Sequence, residues 1–80
     1  MNKELNKIVG TQLKLVRVEN DDTIQELASK LNMSGTTIWR YENAKCDMTV
    51  SIIVKILDYY KKDIGIFFEE VNAKMHRNEE

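Results

Sequence analysis

The stretch MSGTTIWRYENAKC, residues 33–46, holds the only tryptophan of the chain. Ser34 is a natural helix cap, and residues three and four apart on the helix it starts share a face. Thr36, Trp39, Arg40 and Asn43 then line one side, while Ile38 and Tyr41 point the other way. Ile38 and Tyr41 fill the inward positions. The competing arrangement, a helix rotated to bury Trp39, would leave them stranded. The spacing therefore predicts that a tryptophan, an arginine, a threonine and an asparagine share an outward face.

Upstream of this helix, "TIQELASKL" (residues 23–31) reads as a second short helix, capped by Asp22 or Thr23, with Ile24, Leu27, Ala28 and Leu31 inward. Two helices of this length do not hold without tertiary packing. Joined by the tight "NMS" connection, they form a helix-turn-helix unit over about residues 23–43. Before them, Leu5, Val9, Leu13 and Val16 form the stripe of a first helix, flanked by Ile8 and ended by "ENDD" at 19–22. After them, Thr49 caps a fourth helix containing Val50, Ile53, Val54, Ile56 and Leu57. Asp63 caps a fifth, with Ile64, Phe67, Phe68, Val71 and Met75 on one side. Ile64 and Phe67 are expected to complete the core, and the tail "HRNEE" to fray. Strand-like alternation is absent, so the expected fold is all-α: five helices in one small domain.

The 80 residues carry 12 basic and 13 acidic side chains, a net charge of −1. That balance by itself does not announce a nucleic-acid binder. Its distribution is more informative. Residues 23–46 carry Lys30, Arg40 and Lys45 against Glu26 and Glu42, whereas residues 47–80 carry seven acids and five bases, so an anion-binding surface belongs to the middle third. Cys46 is the only cysteine, which suits a reducing compartment. The start "MNKELNKIVG" lacks a signal-peptide pattern, and no apolar run approaches a membrane span, so a soluble cytoplasmic protein is expected. No metal-ligand spacing, phosphate loop or nucleophile motif occurs. Neither catalysis nor a metal or cofactor is expected.

Residues 9–68 resemble the lambda-repressor/Cro-like helix-turn-helix domain, the XRE family of regulators. The residues that carry the resemblance are Val9-Gly10, Leu13, Val16-Arg17, Thr23, Glu26-Leu27-Ala28, Leu31, Met33-Ser34, Thr37-Ile38, Arg40-Tyr41-Glu42 and Lys45, then Lys55-Ile56, Ile64 and Phe67-Phe68. Residues 69–80 would be the end of the last helix and its tail. The chain departs from the family pattern at four places. Ile24 stands where a glutamine is usual, with Gln25 one place later. "NDD" replaces a glycine-centred loop, Ala44 replaces a glycine, and Gly35 occupies the first reading position.

The resemblance implies a transcription regulator, a repressor that binds a partly palindromic operator on double-stranded DNA as a homodimer, with the third helix in the major groove. It implies DNA contacts from Thr23, Gln25, Ser34, Gly35, Thr36, Thr37, Trp39, Arg40, Asn43 and Lys45. Arg40 is the leading base reader, and Asn43 and Lys45 lie where relatives touch phosphates. It further implies an Arg17–Glu42 salt bridge between the first and third helices. Phe68, Val71 and Met75 are expected to form a dimer face. No small-molecule ligand is expected, because no sensing domain follows. A protein-interaction module, or the antitoxin of a toxin–antitoxin pair, is the alternative use of the same fold.

Overall fold

The computed structural model describes residues 2–77 of the chain. Its five helices are α1 (Lys3–Glu19), α2 (Ile24–Lys30), α3 (Gly35–Glu42), α4 (Val50–Tyr59) and α5 (Ile64–Arg77). Each starts on a side-chain cap that satisfies one of the otherwise unpaired amides of the first turn. Asn2 Oδ1 accepts from Leu5 N at 2.7 Å, Ser34 Oγ from Thr37 N at 3.1 Å, Thr49 Oγ1 from Ile52 N at 3.2 Å, and Asp63 Oδ1 from Ile66 N at 2.9 Å. At α2 the cap is reciprocal. Glu26 N donates to Thr23 Oγ1 at 3.1 Å, and Thr23 N donates to Glu26 Oε1 at 2.9 Å. The bond from Thr23 N, with the Thr23 hydroxyl beside it, holds the Glu26 carboxyl below its ordinary pKa, because these donors stabilise its charged form.

The helix ends follow one rule as well, and it explains the missing glycines. Asp21, Asn32, Ala44 and Lys61 each have φ between 55° and 57° and stand one place beyond a helix C-cap. In each case the next two amides turn back to the helix, as with Ala44 N to Tyr41 O at 3.3 Å and Lys45 N to Arg40 O at 2.8 Å. This is the Schellman closure, whose left-handed residue is usually glycine. Asp and Asn tolerate that conformation; alanine does not benefit from it. Ala44→Gly is therefore expected to stabilise the fold by about 0.5–1 kcal/mol, the relief of a left-handed alanine less the greater chain entropy of glycine. Chemical denaturation of the two proteins side by side measures it.

The core is assembled from all five helices and one turn residue. Val9, Leu13 and Val16 come from α1, Leu27 and Ala28 from α2 with Leu31 at its cap, and Ile38 from α3. Ile53, Ile56 and Leu57 come from α4, Phe67 and Val71 from α5, and Met48 from the α3–α4 turn. α2 packs on α3, and α1 packs on both α3 and α5. Ala28 is buried in the core, on the helix that packs against α3.

Four expectations are corrected here. Val71 is only 2% exposed, so it belongs to the core and cannot present a dimer face. Ile64 is 42% exposed and does not complete the core; α5 is seated by Phe67 and Val71, and Ile64 lies beyond their edge. α5 continues to Arg77, so His76 and Arg77, expected in the tail, are helical. The remaining tail residues, 78–80, lie outside the described part. Ile24, expected inward, is only half-buried, packed on the rim of the core. Among the described residues no helix is long and apolar enough to cross a membrane.

Candidate nucleic-acid interface

α3 is held to the scaffold from behind, and this determines which of its side chains face out. Glu42 accepts two bonds from Arg17 of α1, Nε to Oε2 at 2.7 Å and Nη2 to Oε1 at 3.0 Å. Arg17 Nη1 donates a third, to the Asp22 carbonyl at 2.7 Å. The bidentate pair is buried, and its hydrogen bonds push the Arg17 pKa above its ordinary value, so the guanidinium stays charged. The expected bridge is thus present, and it also ties the α1–α2 turn to α3. Asp22, one of the acids of that turn, is drawn into the same scaffold. Its Oδ2 accepts from Tyr60 OH at 2.9 Å. Burial and the neighbouring carboxylate raise the Tyr60 pKa well above the tyrosine range. Neither Glu42 nor Asp22 therefore presents a bare carboxylate toward the front of α3.

Close approach provides the second restraint. A Cβ on Gly10 would lie 2.5 Å from the Tyr41 carbonyl oxygen and 2.9 Å from that of Glu42. Only glycine lets the last turn of α3 rest against α1 at this point. With Ile38 and Glu42 buried, the opposite arc of α3 carries Thr36, Trp39, Arg40 and Asn43, all exposed. Trp39 is 47% exposed, so the helix is not rotated to bury it. The Arg40 side chain makes no hydrogen bond or ion pair among the described residues.

The other candidate residues are placed as follows. Thr23 caps α2 and Ser34 caps α3, each with its hydroxyl oxygen engaged by a backbone amide, and Ser34 Oγ is also 2.8 Å from Thr37 Oγ1. Asn43 is the C-cap of α3, and its Nδ2 donates to the Trp39 carbonyl at 2.9 Å, leaving its amide oxygen outward. Gln25, Gly35, Thr36 and Trp39 come together with Ile24 around an open notch of about 260 Å³. Lys45 stands apart from them, beside a different hollow shared with Lys3 and Asn6. The sequence reading missed Ile24 as a wall of the notch. No local signal in the sequence marks it, because the notch forms only where the first turn of α2 meets the start of α3. Among the described residues no group of His, Cys, Asp and Glu is arranged to hold a metal ion.

Chemically, the front of α3 offers one free guanidinium, the Thr36 hydroxyl, an indole with its N–H, and an amide. Such a surface can bind a partner and discriminate among partners.

Comparison with known proteins agrees with this architecture. A family model described as a helix-turn-helix domain matches residues 8–63. No curated protein sequence matches the chain. Among solved structures, the chain is similar to a tyrosine-to-alanine mutant of the restriction-modification controller protein C.Esp1396I. The TM-score is 0.82 at 25% identity, covering 91% of this chain and 95% of that one. The chain belongs to the helix-turn-helix domain family, with the five-helix fold of the lambda-repressor-like DNA-binding regulators.

Proposed function

We propose that this protein is a sequence-specific transcription repressor that binds a partly palindromic operator as a homodimer in the cytoplasm. The observation that carries the reading is the outward face of α3. An unpaired Arg40 stands beside an exposed Trp39 on a helix whose own acid, Glu42, is neutralised from behind. α3 lies in the major groove with its N-terminal part toward base edges. Arg40 bonds guanine O6 and N7, and Trp39 covers thymine methyls or sugars. Thr23, Ser34, Thr37, Asn43 and Lys45 supply phosphate contacts that set register. The likeness to a restriction-modification controller supports a regulator that works at this size.

Dimerisation falls to α5. Phe68 and Met75 are half-buried on the same flank as the exposed Ile64, and these three form the face that Val71 vacates. Two such copies read half-sites about one helical turn, roughly 34 Å, apart. Selection of duplexes from a random pool tests the function. Wild type is expected to enrich a two-fold-related motif, and Arg40→Ala to relax one position of each half-site by about 1–3 kcal/mol. Absence of any enriched motif would remove the regulator reading and favour a helical scaffold that binds protein.

A further inference from the structure

Gly35 has no side chain, yet the space beside its Cα is occupied. A Cβ there would lie 2.7 Å from Gln25 Nε2, 2.9 Å from Oε1 and 3.0 Å from Cδ. The carboxamide of Gln25 therefore reaches from the first turn of α2 and rests on the first residue of α3. Any other residue at position 35 would displace it. The contact positions the amide without using it. Gln25 is exposed and its carboxamide makes no hydrogen bond among the described residues, so both donors and the acceptor oxygen are available. Ile24, Thr36 and Trp39 flank it around the notch, an apolar wall on either side of one polar group.

Resting on the DNA-binding reading above, we infer that Gln25 reads the base pair facing the start of α3, with a preference for adenine. The first side chain of a recognition helix ordinarily reaches that base edge. Here α3 has none, and α2 lends one in its place. A glutamine amide matches adenine, donating to N7 and accepting from the N6 amino group. Trp39 and Ile24 offer apolar surface to the methyl group of a neighbouring thymine.

Gly35→Ala is the decisive probe. It moves only the free end of a flexible side chain, so α3 keeps its backbone while Gln25 loses its seat. Duplex selection is run on wild type, Gln25→Ala, Gly35→Ala and the double variant, with Arg40→Ala as reference and circular dichroism to verify folding. Wild type is expected to favour A·T at one position of each half-site, by about 5- to 150-fold over the other pairs. Gln25→Ala and Gly35→Ala both erase that preference at the same position, the double variant erases no more, and Arg40→Ala relaxes a different position. Gln25→Glu, which keeps the length and accepts only, shifts the preference toward cytosine, whose N4 amino group donates. A uniform loss of affinity in Gln25→Ala, with every base preference intact, would make the contact a phosphate contact and overturn the inference while the regulator reading stands. A Gly35→Ala protein that retains the preference also overturns it. A wild-type protein that selects no motif ends both.

Discussion

Glu42→Ala is expected to destabilise the fold by about 3–5 kcal/mol, the cost of leaving a buried partner charge uncompensated. The side chains of Arg17 and Glu42 are 9% and 3% exposed, so little water is available to replace the lost carboxylate. Arg17 would keep only the Asp22 carbonyl. For a domain of this size total stability is about 4–12 kcal/mol at the usual value per residue, so the variant stands near the unfolding threshold. Urea unfolding followed by circular dichroism reads the loss directly. The converse experiment separates orientation from stability. Replacing both partners together, Arg17→Met with Glu42→Leu, removes the stranded charge and is expected to be neutral or stabilising. A double variant as unstable as Glu42→Ala would show that the pair contributes net stability as well as the seating of α3 on α1.

Gly10→Ala is the second large effect, and its sign is opposite to that of an ordinary helical glycine. On an exposed face the substitution gains about 1 kcal/mol of helix propensity. Here the methyl would meet the Tyr41 and Glu42 carbonyl oxygens at 2.5 and 2.9 Å. These are backbone atoms of the last turn of α3 and cannot rotate aside, so α1 and α3 must separate. Overpacking of this kind costs about 1–3 kcal/mol, and separation also lengthens the Arg17–Glu42 bonds across the same helix pair. Net destabilisation is expected, with coupling to Glu42→Ala: the double variant loses less than the two singles added. Full additivity would mean that the two contacts restrain α3 independently. Because both hold the back of α3, a folded Gly10→Ala protein is also expected to bind DNA more weakly, with no exposed residue altered.

Much of this architecture was legible one helical turn at a time. The caps at Thr23, Ser34, Thr49 and Asp63 are bonds from residue i to i+3, and the outward arc of Trp39 and Arg40 follows from 3.6-residue spacing around Ile38. Both signals lie within one stretch of chain, which is why composition and order suffice to read them. The Arg17–Glu42 bridge spans 25 residues and came from resemblance, not from local pattern.

The tertiary structure decided what depends on how one helix lies on another. Apolar spacing on α5 put Ile64, Phe67, Phe68, Val71 and Met75 in one stripe. Only the packing of α5 on α1 buried Phe67 and Val71 and left Ile64 at the edge. Asp22 reads as a bare acid of the "NDD" turn until Tyr60, 38 residues on, donates to its carboxylate. Ala44 read as a departure from a glycine, and the closure of α3 holds it in the left-handed conformation all the same. Gln25 stood one place from where its family would put it, a rotation of about 100°. What that rotation aims at is the empty face of Gly35, across a helix crossing that has no local signature in the sequence. The sequence by itself determined the five helices, the starts of α3, α4 and α5, and the outward face of α3. The crossings of α1 with α3 and of α2 with α3 decided which charges are neutralised and which amide stands free, because those contacts join residues far apart in the chain.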